Sequence, residues 1–167
     1  MLKLMDKLFI RPLQNAAEAR LCADFMAASE PWLTLNFSAE QIFQRLSNPQ
    51  RDVYVAEMEN QVVGALVLHL DGVLNGYLQL LAIHPDQRGS GLGAQLLAFA
   101  EERIFQQSPN AFLCVSDFNL RAQKFYEHHG YQRIGELSDF LVQGRSEILL
   151  RKTKGPLRSF HPVILNH

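Results

Sequence analysis

The chain has 167 residues, 47% hydrophobic and 20% charged, with 16 Lys and Arg against 17 Asp and Glu. That length suits about one domain, and the apolar fraction supplies a real core, which excludes wholesale disorder. A net charge of −1 lacks the basic excess of a nucleic-acid binder, and the longest apolar run, residues 62–68, falls far short of the ~20 residues that span a bilayer, so neither nucleic acid nor membrane is expected as a partner.

In chain order, Lys3, Asp6 and Lys7 interrupt the N-terminus, which therefore lacks the continuous apolar stretch of a secretory signal. Residues 8–12 read as a strand. Asn15 caps a helix whose apolar side is Ala19, Cys22, Phe25 and Met26, ending at Ser29-Glu30-Pro31. Ser38 caps a second, with Gln41 completing a capping box and Ile42, Phe43 and Leu46 as its apolar side. Strands follow at 52–58 and 61–70 around the tight turn Glu59-Asn60, and a third at 76–84, making an antiparallel meander. The pattern then changes to helix (91–105), strand (111–115), helix capped by Asn119 and stopped by Gly130, and strands at 131–137 and 146–152. The expected fold class is α/β: a mixed, mainly antiparallel sheet of about seven strands flanked by about four helices. Cys22 and Cys114 lie far apart in apolar surroundings without a CxxC spacing, which points to a reducing, cytoplasmic setting. The tail, 155–167, has two prolines and no period.

Arg88-Gly89-Ser90-Gly91-Leu92-Gly93 joins a strand to a helix, where glycines let main-chain N–H groups converge and the helix dipole favours an anion. A Walker A loop fails, because Gly93 is followed by Ala94-Gln95 instead of Lys-Ser/Thr. A dinucleotide fingerprint matches at Gly89, Gly91 and Ala94, but the next strand ends Phe112-Leu113-Cys114-Val115 without the required acid, and a meander is foreign to such a unit. A connector with no ligand would place three glycines within five residues at an entropic cost with no return. The turn, with the preceding Leu81-Ala82-Ile83-His84-Pro85, resembles the pyrophosphate turn Arg/Gln-x-x-Gly-x-Gly/Ala of the GNAT superfamily of acetyl-CoA-dependent N-acetyltransferases. The segment from Asn119 to Tyr131 resembles that family's other signature, Asn-x-x-Ala-x-x-Phe-Tyr-x-x-x-Gly-Tyr/Phe, through Asn119, Ala122, Phe125, Tyr126, Gly130 and Tyr131. Independently, seven residues make almost two helical turns, so Asn119 and Tyr126 share a helix face ~10 Å apart along the axis, a span that suits a long ligand arm.

The resemblance implies a single acetyltransferase domain over residues 1–154 and a cosubstrate, acetyl-CoA, with no metal. It implies that Gly89, Ser90, Gly91, Leu92 and Gly93 hold the pyrophosphate, with Arg88 contributing charge or the turn's first amide. Backbone groups of Leu81, Ala82 and Ile83 would face the pantetheine and the acetyl carbonyl, Asn119 would meet the pantetheine, and Tyr126 would protonate the departing thiolate. Tyr126 alone would read as core packing; the companion motif residues argue for the catalytic role. The sequence departs from the family at the base, since Gln79 and Leu80 stand where many members carry a carboxylate. Glu30, beside Pro31-Trp32, is the candidate base or cation-recognition group, with relay through water as the alternative. His84 is expected to be structural and Cys114 core. Trp32, Leu35 and Phe37 either wall an acceptor pocket or pack on the sheet. The basic residues Arg145, Arg151, Lys152, Lys154 and Arg158 either meet an anion or form a solvated strand end, with Glu147 partly offsetting them. The expected function is transfer of acetyl from acetyl-CoA to a primary amine, small-molecule or peptide, by direct attack in a ternary complex; a non-catalytic acyl-CoA-binding regulatory module is the alternative. Phe160, Val163, Ile164 and Leu165 of the tail offer apolar cover for a partner chain in a homodimer.

Overall fold

A computed structural model of the chain describes residues 8–163. Its elements are β1 (Phe9–Pro12), α1 (Ala16–Ala27), α2 (Ala39–Leu46), β2 (Asp52–Met58), β3 (Gln61–His69), β4 (Tyr77–Ile83), α3 (Leu92–Gln107), β5 (Asn110–Ser116), α4 (Leu120–His128), β6 (Gln132–Ser138) and β7 (Ser146–Thr153). The seven strands hydrogen-bond in the order β1-β2-β3-β4-β5-β7-β6, with β4 and β5 parallel and the pairs β1–β2, β5–β7 and β6–β7 antiparallel. The mixed, mainly antiparallel α/β architecture expected from the sequence is the one found, with four α-helices among the described residues. Gly76 and His84, expected as strand ends, fall just outside β4: Gly76 has φ +89°, and His84 caps a short 3-10 turn at Pro85–Gln87. No helix among the described residues is long and apolar enough to cross a membrane.

The chain gathers into two compact units, one of residues up to Val67 with Leu80–Ala100, the other of Leu68–Gln79 with residues from Glu101 onward. In the first unit Asn15 accepts from the Glu18 N–H at 3.0 Å and starts α1. Ser38 and Gln41 close a reciprocal capping box on α2. The apolar sides so set, Ala19, Cys22, Phe25 and Met26 of α1 with Ile42 and Leu46 of α2, are buried together with Val55, Ala65, Val67, Leu80 and Ala82 of the sheet. Full burial of a side chain as large as Met26 contributes roughly 2 kcal/mol. Arg11 clasps Glu18 at 2.8 Å and Glu57 at 2.6 Å, and this pairing holds the Glu18 carboxyl below its usual range.

In the second unit β7 lies between β5 and β6, and Ala111, Leu113, Ile148 and Leu150 are buried with Ile104 of α3. Four of the basic residues near the C-terminus have separate partners. Lys152 pairs with Glu101 at 2.7 Å, Arg151 donates to Asn110 at 2.9 Å, Lys154 lies over the Phe105 ring and Arg145 over Phe118. The tail returns to its own unit: Lys154 N–H donates to the Pro109 carbonyl and Val163 N–H to that of Gln106. Ile164 and Leu165 lie outside the described residues.

Candidate functional site

In the first unit β4 delivers the chain to the glycine turn. Ala82 is buried in the core, Leu81 and Ile83 are half-buried, and the His84 N–H donates to the Val63 carbonyl at 2.8 Å. His84 is structural, as expected: its Nδ1 accepts from the Asp86 N–H at 3.3 Å and its ring packs edge-on against Phe25. Gly89 and Gly91 adopt φ +81° and +86°, left-handed conformations that a side chain would strain. Ser90 Oγ donates to the Gln87 carbonyl at 2.6 Å and braces the turn. The Gln95 N–H reaches back to the Gly91 carbonyl, so α3 starts here. The amides of a helix's first turn have no partner inside the helix, and no acid stands in the first turn of α3. Gly89, Ser90 and Gly91 are exposed, and no atom lies within 4 Å of where a Gly91 Cβ would stand. The turn is an open cradle of N–H groups at a positive helix end, which fits a diphosphate.

The Arg88 side chain is engaged within the chain. Its guanidinium donates to the Ile83 carbonyl at 3.2 Å, to Ser29 Oγ at 3.1 Å and to the Glu30 carbonyl at 3.2 Å, tying the turn to the loop after α1. Ser29, its buried anchor, carries no signal in the sequence beyond ending a helix. The Glu30 carboxylate is exposed and caps its own loop, accepting from the Thr34 N–H at 3.1 Å and Thr34 Oγ1 at 2.9 Å. In that loop Leu35 is buried, and Trp32 and Phe37 pack against the core of α1 and α2.

In the second unit Asn119 caps α4 through its side-chain oxygen, which accepts from the Ala122 N–H at 3.2 Å. Gln123 pins the helix to the end of β5 by donating to the Ser116 and Asp117 carbonyls at 3.1 and 3.0 Å. Tyr126 packs edge-on against Phe125 and Tyr131, with ring centroids 5.1 and 5.7 Å away, and its hydroxyl forms no hydrogen bond among the described residues. Burial holds this phenol well above its usual pKa, so it keeps its proton. Cys114 is half-buried, and desolvation raises its thiol. Glu147 is not the solvated offset to a basic run that the sequence suggests: it is buried, and Ser116 Oγ donates to its Oε1 at 2.6 Å. Among the described residues no group of three or more His, Cys, Asp or Glu could hold a metal ion.

A family model described as "Acetyltransferase (GNAT) family" matches residues 15–131. An N-acetyltransferase of Methanocaldococcus jannaschii is 33% identical over 110 residues, 62% of this chain and 70% of its own. The aminoalkylphosphonate N-acetyltransferase of Salmonella typhimurium is 32% identical over 94 residues, 53% of this chain and 61% of its own. Among solved structures, an aminoglycoside 6′-N-acetyltransferase complexed with coenzyme A superposes with a TM-score of 0.70 at 19% identity, covering 89% of this chain and 98% of the other. The ribosomal-protein-S18-alanine N-acetyltransferase of Escherichia coli gives 0.69 at 16% identity, covering 96% and 100%. With its α/β sheet, its open glycine turn and a family match over well more than half its length, the chain belongs to the GNAT acetyltransferase family.

Proposed function

We propose that this acetyltransferase moves the acetyl group of acetyl-CoA to a primary amine by direct attack in a ternary complex. The observation that carries the reading is the exposed turn at Gly89–Gly91, with two left-handed glycines and the N-terminus of a 16-residue helix behind it. Main-chain amides there hold the diphosphate, and Arg88 acts by fixing the turn through Ser29 and Glu30. Main-chain groups of Leu81, Ala82 and Ile83 meet the pantetheine and the charge that develops on the acetyl oxygen. Asn119, its oxygen engaged in the cap, offers its amide N–H to the pantetheine. The amine nitrogen bonds to the acetyl carbon as the C–S bond breaks, and the Tyr126 hydroxyl donates to the sulfur that takes the electron pair. The amine's surplus proton leaves through water, and a proton returned through water restores the Tyr126 phenol, so that the amide and free CoA thiol are the net products. A cytoplasmic setting suits the two free thiols, Cys22 and Cys114.

A screen for thiol release across amine classes, with calorimetry of acetyl-CoA binding, tests the reading. Release of free CoA with at least one amine is the expected result. Binding without turnover on any amine makes the chain a sensor, and no binding at all removes the reading. Within this scheme Glu30→Gln is expected to leave kcat within about threefold, because Thr34 already uses both carboxylate oxygens. A loss of about a hundredfold, the scale of a lost general base, would restore Glu30 to that role.

A further inference from the structure

Glu147 is the only charged side chain buried to under a tenth of its surface among the described residues, with 5% exposure. Among the described residues it forms no ion pair. Ser116 Oγ donates to Oε1 at 2.6 Å, and the Arg145 guanidinium stands 3.9 Å from Asp117. Burial and the neighbouring Asp117 carboxylate both push the Glu147 carboxyl upward. A buried carboxylate left uncompensated is expensive, and positions that keep one are candidates for a function.

Its surroundings indicate what would compensate it. The antiparallel register sets Ser116 opposite Glu147 and Cys114 opposite Leu149, and the parallel register sets Tyr77 beside Phe112. Cross-strand partners and alternate residues along a strand share one sheet face. Glu147, Ser116, Leu149, Cys114, Phe112, Tyr77 and Arg151 therefore line the same face, Arg151 standing opposite Phe112 with its guanidinium donating to Asn110 and Thr153. The opposite face carries Leu113, Ile148 and Leu150, all 5% exposed or less, and its Lys152 meets Glu101 of α3, so a helix covers it. On the Glu147 face Tyr77, Phe112, Cys114 and Leu149 are only half-buried. The face is open and apolar in its middle, with a carboxylate and a hydroxyl at one end and the Asn110-bound Arg151 at the other, four residues or roughly 13 Å along β7 from Glu147, beyond the reach of a short amine held there. That end leads directly into the α4 cap, since the Asn119 N–H donates to the Ser116 carbonyl at 3.0 Å.

We infer that this face is the acceptor subsite: Glu147 and Ser116 hold the ammonium group of a primary amine, and the apolar side chains take an uncharged alkyl or aryl body. The inference rests on the acetyl-transfer reading and gives it a substrate class, one that disfavours amines carrying a second, anionic group. The probes are 2-phenylethylamine and 2-aminoethylphosphonate, with wild-type, Glu147→Gln, Glu147→Asp and Ser116→Ala proteins. Expected are turnover of 2-phenylethylamine in preference to the phosphonate and a KM for it raised about tenfold or more by Glu147→Gln. The acetyl-CoA dissociation constant and, to a lesser degree, kcat are expected to hold, with Glu147→Asp recovering part of the KM. Because the carboxylate is buried unpaired, Glu147→Gln should also match or exceed the wild-type melting temperature at pH 7, which separates lost recognition from lost folding. An unchanged KM in Glu147→Gln, or equal use of the phosphonate, overturns the inference while leaving acetyl transfer intact. If no amine releases thiol, the acetyl-transfer reading fails, and calorimetry of 2-phenylethylamine still decides the subsite: binding lost in Glu147→Gln upholds it, and equal or absent binding overturns it.

Discussion

Tyr126→Phe is expected to lower kcat by about a hundredfold or more, the range of a lost general acid. The acetyl-CoA dissociation constant should stay within about twofold, because a group used only as the C–S bond breaks contributes to the transition state and not to ground-state binding. The structure lets this variant be read cleanly. The ring contacts with Phe125 and Tyr131 survive the change, and the hydroxyl removed has no hydrogen bond among the described residues to lose. Burial raises the phenol's pKa, so the proton stays in place through the neutral range, and Tyr126 should add no limb to the kcat profile below about pH 10. The sign for stability follows. A buried phenol with a raised value supports the fold fully below the unfolded value, and this support fades as pH climbs past about 10, where the unfolded chain ionises first. Single-turnover thiol release and calorimetry measure the two constants. Unchanged turnover would take the donor's role from Tyr126.

Gly76→Ala should produce the largest loss of stability, about 3 kcal/mol or more, with a fall in melting temperature of roughly 6–12 °C. Two effects act together. Gly76 sits at φ +89°, where a side chain strains the backbone. A Cβ there would also stand 2.3 Å from the Asn110 carbonyl oxygen and 2.8 Å from Ile104 Cγ2. Neither neighbour can give way easily. Ser108 Oγ bridges the Asn75 and Asn110 carbonyls at 3.2 and 3.1 Å, and the Phe112 N–H donates to the Gly76 carbonyl at 3.0 Å. Gly144→Ala is the control, since φ is +78° and nothing lies within 4 Å of its Cβ. It should lose only the backbone part, about 1–2 kcal/mol. Equal losses in the two variants, measured by urea unfolding, would show that the packing against Asn110 adds nothing.

The features legible in the sequence are those decided within one turn of chain. Asn15, Ser38 with Gln41, and Asn119 each bond an amide three residues on, so a residue type at a fixed offset suffices to place the helix start. Glu59 and Asn60, both with positive φ, turn β2 into β3 where the strand pattern breaks. The glycine turn is legible for the same reason, since its conformation is local to residues 89–91. Arg88 shows where that reasoning stops. Its guanidinium bonds Ser29 and Glu30, 59 and 58 residues away, and no spacing within the motif reveals that it anchors a loop.

By itself, then, the sequence determined the order of strands and helices, their caps, and the two motifs that mark a GNAT acetyltransferase, because each depends on residues within a few positions of one another. Only the tertiary structure decided which acid is buried and which partners the basic residues take. Glu147 looks like any charged residue of an exposed strand until β5 and β6 flank β7 and set Ser116 against it, and Lys152 and Arg151 look like a basic patch until Glu101 and Asn110 arrive from distant segments. Burial and pairing of charge depend on which strands become neighbours, and strand neighbours are chosen by long-range packing that no local pattern encodes.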